Sequence, residues 1–246
     1  MKPEEATPVK SNFEELDSRE TRMGEISLRR RRILSLNNIE VYEIKLGHEY
    51  LMSSLFHEAE LALANIGLGE LGGEGWDVVV GGLGLGYTAA ATLKFEKLKR
   101  LIVVDALEPV IEWHKRGLIP LGRQLTSDSR CVFRHGDFFA LAGQAAFDPV
   151  TPKTQFDAVL LDIDHTPDFW LHPSHAEFYS SAGLSRLKSS LKPRGVFALW
   201  SNDPPESAFI DILSSVFTDV QGHSVQFDNP LQQSTSTCGI YVARNR

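Results

Sequence analysis

The chain has 246 residues, 42% hydrophobic and 23% charged, enough apolar material for a sizeable core, which excludes disorder for most of its length. Lys and Arg number 25 against 32 Asp and Glu, a net charge of −7. A field of that sign excludes a general nucleic-acid coat or an anionic-membrane binder, so neither nucleic acid nor membrane is expected as a partner.

Residues 1–21 carry Pro3, Pro8 and many charges without periodicity, and are expected to be a flexible lead. Over 22–54, apolar and polar residues alternate at 25–28 and again at 39–44 around Asn37-Asn38, which predicts a small N-terminal β-hairpin unit. The run Arg29-Arg30-Arg31-Arg32 falls on it as a solvated face. A helix is expected over 55–66, followed by a glycine-rich loop. Val78-Val79-Val80 is a continuous apolar run, as in a strand buried on both faces of a parallel sheet. A helix of small residues over 87–98 follows, then an apolar run at 101–104 and a helix over 109–113. Strands at 131–133, 158–161 and 196–200, a helix over 182–191 and a closing antiparallel strand at 240–243 complete the pattern. Strands alternating with helices predict an α/β fold over 55–246, a doubly wound, mostly parallel Rossmann-like sheet that binds a nucleoside.

Cys131 and Cys238 lie far apart, which excludes a disulfide framework and a zinc ribbon. Residues 1–12 have no apolar signal core, and no run approaches about 18 apolar residues, so a soluble cytoplasmic protein is expected.

Three groups of residues carry chemistry. A strand that feeds Gly82-x-Gly84-x-Gly86 and then a helix lets backbone approach a ligand where a Cβ would clash. Asp105 ends the next strand nineteen residues beyond Gly86, the spacing of an acid that grips ribose hydroxyls. Gly136-Asp137 follows the third strand, where Asp137 could accept from an adenine amino group while Phe138 or Phe139 covers a ring face. Last, Asp162-Ile163-Asp164-His165 puts two carboxylates and an imidazole after a buried strand, at the edge where α/β sheets bind ligands. Such a pair can bind a cationic amine and take its proton. His172 and His175 are expected at the surface, and no metal site is expected.

In this order the pieces resemble the polyamine aminopropyltransferases, the spermidine synthase family, within the class I methyltransferase-like fold. The likeness runs from about residue 24 to 244. Phe56-His57-Glu58 is similar to the family's Tyr-His-Glu, which implies that His57 and Glu58, with His165, face the substrate. Val80-Gly81-Gly82-Leu83-Gly84 resembles the donor loop, and 103–109 the segment whose acid, here Asp105, holds the donor's ribose. Gly136-Asp137 is similar to the adenine-side pair, and Leu161-Asp162 to the strand end whose Asp handles the attacking amine. The chain departs from the family where its donor loop carries an Asp, here Gly84. It departs again at Phe56, where the family has Tyr, and at Met52 and Ser53, where it has acids.

The resemblance implies transfer of an aminopropyl group from decarboxylated S-adenosylmethionine to a small-molecule amine, without a metal, with Asp162 and Asp164 as the catalytic carboxylates. The N-terminal hairpin could pair across a two-fold axis, which would make a homodimer. Two alternatives stand beside it: an S-adenosylmethionine-dependent methyltransferase, favoured by Gly84, and a non-catalytic nucleoside-binding relative. An NAD-dependent dehydrogenase would need a second phosphate-binding half, which the sequence does not show.

Overall fold

The alternation at 25–28 and 39–44 belongs to a larger sheet than a hairpin. A computed structural model describes residues 12–246 and divides the chain into two units, on either side of Leu55 and Phe56. In the first, β1 (Phe13–Thr21), β2 (Gly24–Ile33), β3 (Ile39–Leu46) and β4 (Glu49–Ser53) form a four-stranded antiparallel sheet in chain order. The flexible lead is therefore corrected from Phe13 onward; residues 1–11 lie outside the described residues. Strand β1 is almost wholly polar, so periodicity does not reveal it. It is made by its ladder to β2 and by cross-strand pairs, Glu15 with Arg29 at 3.3 Å and Glu14 with Arg30. The arginine run is ion-paired on both faces of β2, with Arg31 to Glu43 at 2.7 Å and Arg32 to Glu40 at 3.5 Å completing the set. Asn37 and Asn38 both take left-handed backbone, φ 54° and 60°, as a tight turn between strands requires.

In the second unit the apolar runs become the central strands. Helix α1 (Glu58–Gly69) leads into β5 (Trp76–Gly81), α2 (Tyr87–Leu93), β6 (Leu98–Asp105), α3 (Glu108–Arg116) and α4 (Gly122–Ser127). Then come β7 (Cys131–His135), α5 (Phe138–Gly143), β8 (Phe156–Leu161), a 3-10 helix at Pro173–Tyr179, α6 (Ser181–Lys188) and β9 (Leu191–Ser201). Helix α7 (Ser207–Val216) and the hairpin β10 (Thr218–Asn229) and β11 (Ser234–Arg244) end the chain. The seven strands lie in the order β10-β11-β9-β8-β5-β6-β7. β9, β8, β5, β6 and β7 are parallel, and β11 and β10 are antiparallel additions. This is the doubly wound, mostly parallel sheet expected. Strand β10 was not read from sequence because it is a half-exposed edge, and α4 and α5 are only 6 residues each.

Chain order reverses between β5 and β8, so a crevice opens at their carboxyl ends. There the Gly82 N–H donates to the Val104 carbonyl at 2.9 Å, and the Asp162 N–H to the Gly81 carbonyl at 2.8 Å. Gly82 has φ 95°, and a Cβ on it would sit 2.0 Å from the Asp162 carbonyl oxygen. Only glycine fits. Gly82→Ala is expected to lower stability by about 2–4 kcal/mol, from overlap and backbone strain together. Gly72→Ala, which would meet nothing within 4 Å, should stay within about 0.5 kcal/mol of wild type. Urea unfolding of the two variants measures the difference, and equal midpoints would contradict it.

Candidate active site at the carboxyl edge of the sheet

The three loop glycines all have positive φ: Gly82 at 95°, Gly84 at 47° and Gly86 at 93°. The turn is closed by the Gly86 N–H on the Leu83 carbonyl at 2.7 Å. Two side chains from outside the loop hold it. Asp105, at the end of β6, accepts the Leu83 N–H at 2.9 Å and the Leu107 N–H at 2.8 Å. Burial pushes its pKa up, and the N–H groups of Leu107, Leu83 and Gly84 oppose that. Asp105 is thus a loop anchor as well as the expected ribose ligand.

The second is His114 of α3, a residue the sequence reading passed over. Its ring is fully buried and its Nε2 donates to the Gly84 carbonyl at 2.9 Å. Its Nδ1 is buried without a partner. A Cβ on Gly86 would lie 2.9 Å from the same ring and 2.6 Å from Leu125. The apolar company of His114 in Val110, Ile111 and Trp113 signalled burial, but its partner is a backbone carbonyl 30 residues away.

Gly136 is beside Asp105, its N–H donating to the Asp105 carbonyl at 2.9 Å. Asp137 caps α5, with Oδ1 accepting from Phe139 N–H at 2.8 Å and Ala140 N–H at 3.2 Å. The ring cover expected from Phe138 or Phe139 is corrected. Phe138 is 2% exposed in the core, against Gly81, and Phe139 stacks on His175 at 3.9 Å.

The two carboxylates after β8 separate in role. Asp162 accepts the Thr88 hydroxyl at 2.6 Å, and burial pushes its pKa up to about 6 against that bond. Asp164 turns into the protein: its side chain has no exposure and takes the Leu171 N–H at 2.8 Å, His175 Nδ1 at 2.9 Å and the Tyr179 hydroxyl at 2.8 Å. The expectation that Asp164 handles an amine is corrected, because its oxygens are consumed by three internal donors. His175 is likewise buried, not at the surface.

His165 stacks on Phe169 at 5.0 Å, and its carbonyl accepts the Asn202 N–H at 2.7 Å. His57, just before α1, stacks on Tyr87 at 4.6 Å, and its Nδ1 is buried without a partner. Glu58 is exposed and accepts the His57 backbone N–H at 3.0 Å. One carboxylate was missed: Glu60 of α1, whose pKa is pushed up to about 8 by burial and by the charge of Asp162. Among the described residues no group of three His, Cys, Asp or Glu could hold a metal ion, and no helix is long and apolar enough to cross a membrane.

His114 makes the loop sensitive to acid. Burial lowers its pKa from 6.5 to about 4, so the unfolded chain binds a proton there more readily than the folded one. Stability from this group is therefore present above pH 6.5 and lost as pH falls toward 4, about 2 kcal/mol between pH 7.5 and pH 5. His114→Gln keeps a donor and cannot titrate. The loss in urea stability from pH 7.5 to pH 5 should be about 2 kcal/mol smaller in this variant. An identical loss would remove His114 as its source.

No family model matches the sequence. Two solved structures are similar to it over 94% of its length. One, a spermidine synthase from Thermotoga maritima, has a TM-score of 0.72 at 16% identity, with 73% of that chain covered. The other, a spermidine synthase in complex with the transition-state analogue AdoDATO, has a TM-score of 0.73 at 15% identity, with 74% of that chain covered. With its seven-stranded, mostly parallel sheet and separate four-stranded antiparallel N-terminal sheet, the chain has the methyltransferase-like fold of the spermidine synthases.

Proposed function

We propose that the protein is a transferase that moves an aminopropyl group from decarboxylated S-adenosylmethionine to a small-molecule amine. The observation that carries this reading is Asp162, a buried carboxylate held by Thr88 beside the Gly82 approach, with a pKa raised to about 6. Such a group is ionised at neutral pH, attracts an ammonium and is basic enough to take its proton. The similar structure with AdoDATO supports a nucleoside-bearing donor.

The donor would lie along Gly82, Gly84 and Gly86, its ribose on Asp105 and its adenine at Gly136 and Asp137. Each Asp105 oxygen already takes one N–H, and a carboxylate oxygen has capacity for another donor. The amine nitrogen attacks the methylene next to the sulfonium, the C–S electron pair goes to sulfur, and neutral methylthioadenosine leaves. Asp162 takes the proton that the nitrogen sheds. Proximity and a desolvated charge supply most of the rate. His57, Glu58 and His165 belong to the acceptor side of this scheme, and a cytoplasmic homodimer built through the N-terminal unit belongs to the same proposal.

Asp162→Asn keeps the shape and removes the base. Turnover with an amine should fall about 100-fold or more, while methylthioadenosine affinity stays within about twofold. Equal losses of binding and turnover would make Asp162 structural.

One observation favours methyl transfer from S-adenosylmethionine as a second reading: Gly84 leaves the loop without a carboxylate for the donor's amine. Gly84 has φ 47°, a conformation Asp tolerates better than most residues, so Gly84→Asp should fold. Its carboxylate should shift preference toward the decarboxylated donor, read by comparing kcat/KM for the two donors. No shift would place Gly84 away from the donor's amino group.

A further inference from the structure

The glycine loop runs straight into α2, and the second residue of that helix is Thr88. Thr88 is 3% exposed, and a β-branched side chain keeps few rotamers in a helix. The turn around it is tied down. The Ala90 N–H donates to the Gly86 carbonyl at 2.8 Å, and the buried Thr92 hydroxyl donates to the Thr88 carbonyl at 2.9 Å. The Thr88 hydroxyl is thereby placed against Oδ2 of Asp162, to which it donates at 2.6 Å across 74 residues of chain.

Among the described residues that bond is the one donor the carboxylate takes: Oδ2 has the Thr88 hydroxyl, and Oδ1 has no hydrogen bond. The other elements packed here do nothing for its charge. Helix α1 lies on the sheet, with Gly67 so close that a Cβ would sit 2.9 Å from both Leu160 of β8 and Ala198 of β9. Its Glu60 interacts with Asp162 and is negative when ionised. From β11 comes the Cys238 thiol, pushed up to about 11 mainly by burial, with Glu60 and Asp162 adding to it, so it is neutral. Strand β5 presents the backbone of Gly81 and Gly82. Burial and a neighbouring acid both favour the protonated form of Asp162, and the Thr88 hydroxyl favours the charged one.

We propose that Thr88 is the positioning residue for Asp162: its hydroxyl holds Oδ2 and leaves Oδ1 for the proton of the reacting amine. The proposal rests on the aminopropyl-transfer reading for the source of that proton. It adds that one short stretch of chain serves both partners of the reaction, residues 82–86 taking the donor and residue 88 holding the base. Without the hydroxyl, the carboxylate keeps its burial and loses the bond that opposes it, so it binds a proton more readily. Its titration then moves up from about 6 by about one pH unit. The pH range in which it can act as a base moves with it.

The test is a pH titration of the Asp162 carboxyl resonance, in protein carrying carbon-13 at its aspartate carboxyls, with the signal assigned by its loss in Asp162→Asn. Wild type should titrate near 6, Thr88→Val about one unit higher, and Thr88→Ser near 6 again because serine restores the donor. A merely structural Thr88 would change stability and leave this titration where it is. The second readout is kcat/KM for amine transfer from decarboxylated S-adenosylmethionine. Thr88→Val should lose about fivefold at pH 6 and return to within about twofold of wild type at pH 8.5. In wild type alone, the Thr88 hydroxyl proton should follow the Asp162 titration, so a misfolded variant does not remove the test. The same Asp162 titration in wild type and Thr88→Val would overturn the proposal, as would a hydroxyl resonance that ignores it. A kcat/KM profile that stays put while the carboxyl titration moves would overturn it too. A shifted titration beside a wild type that transfers no aminopropyl group would support the hold of Thr88 on Asp162 and count instead against the transfer reading.

Discussion

The backbone approach at Gly82 is the constraint on which the site depends. Between β5 and its neighbours the chain passes so close that the Asp162 carbonyl occupies the space a side chain on Gly82 would need, while the Gly82 N–H is fixed on the Val104 carbonyl. That approach locks the glycine loop and the end of β8 together. It brings the glycine loop and the segment that carries Asp162 together, though they come from strands far apart in sequence. Asp105 and His114 then hold the rest of the loop, one by its N–H groups and the other by the Gly84 carbonyl. Groups that fix a loop before a ligand arrives spare the ligand the ordering cost.

The buried carboxylates of this unit divide by how they are satisfied. Asp164 is enclosed by an N–H, an imidazole and a phenol, and its work is to tie the loop after β8 to the 3-10 helix. Burying a charge is tolerable when donors replace its water, and here three do. Asp162 has one hydroxyl, and Glu60 sits at the same edge under repulsion. Under-satisfied acids of this kind cost stability, and Asp162 is the one that the proposed function uses.

The sheet was legible because parallel strands buried on both faces spell themselves out, as Val78-Val79-Val80 and Leu101 to Val104 do. Asp105 and Asp162 were legible for the same reason: each is the first polar residue after such a run, so the strand places it. The polar edges were not. β1 and β10 take their order from partners rather than from their own pattern. Nor could spacing separate Asp162 from Asp164. They differ by two residues, and what encloses Asp164 but not Asp162 is the arrival of His175 and Tyr179 from the following segment. Glu60 reads as an ordinary polar position near the start of a helix until Gly67 shows which face meets the sheet.

The account turns on a nucleoside lying along the glycine loop with its reactive end toward Asp162. A crystal structure of the protein soaked with methylthioadenosine tests this most directly. The account predicts ribose hydroxyls on the Asp105 carboxylate, adenine at Gly136 and Asp137, and the thioether sulfur facing Asp162. Nucleoside bound with its sulfur turned away from Asp162, or held elsewhere on the sheet edge, would contradict it.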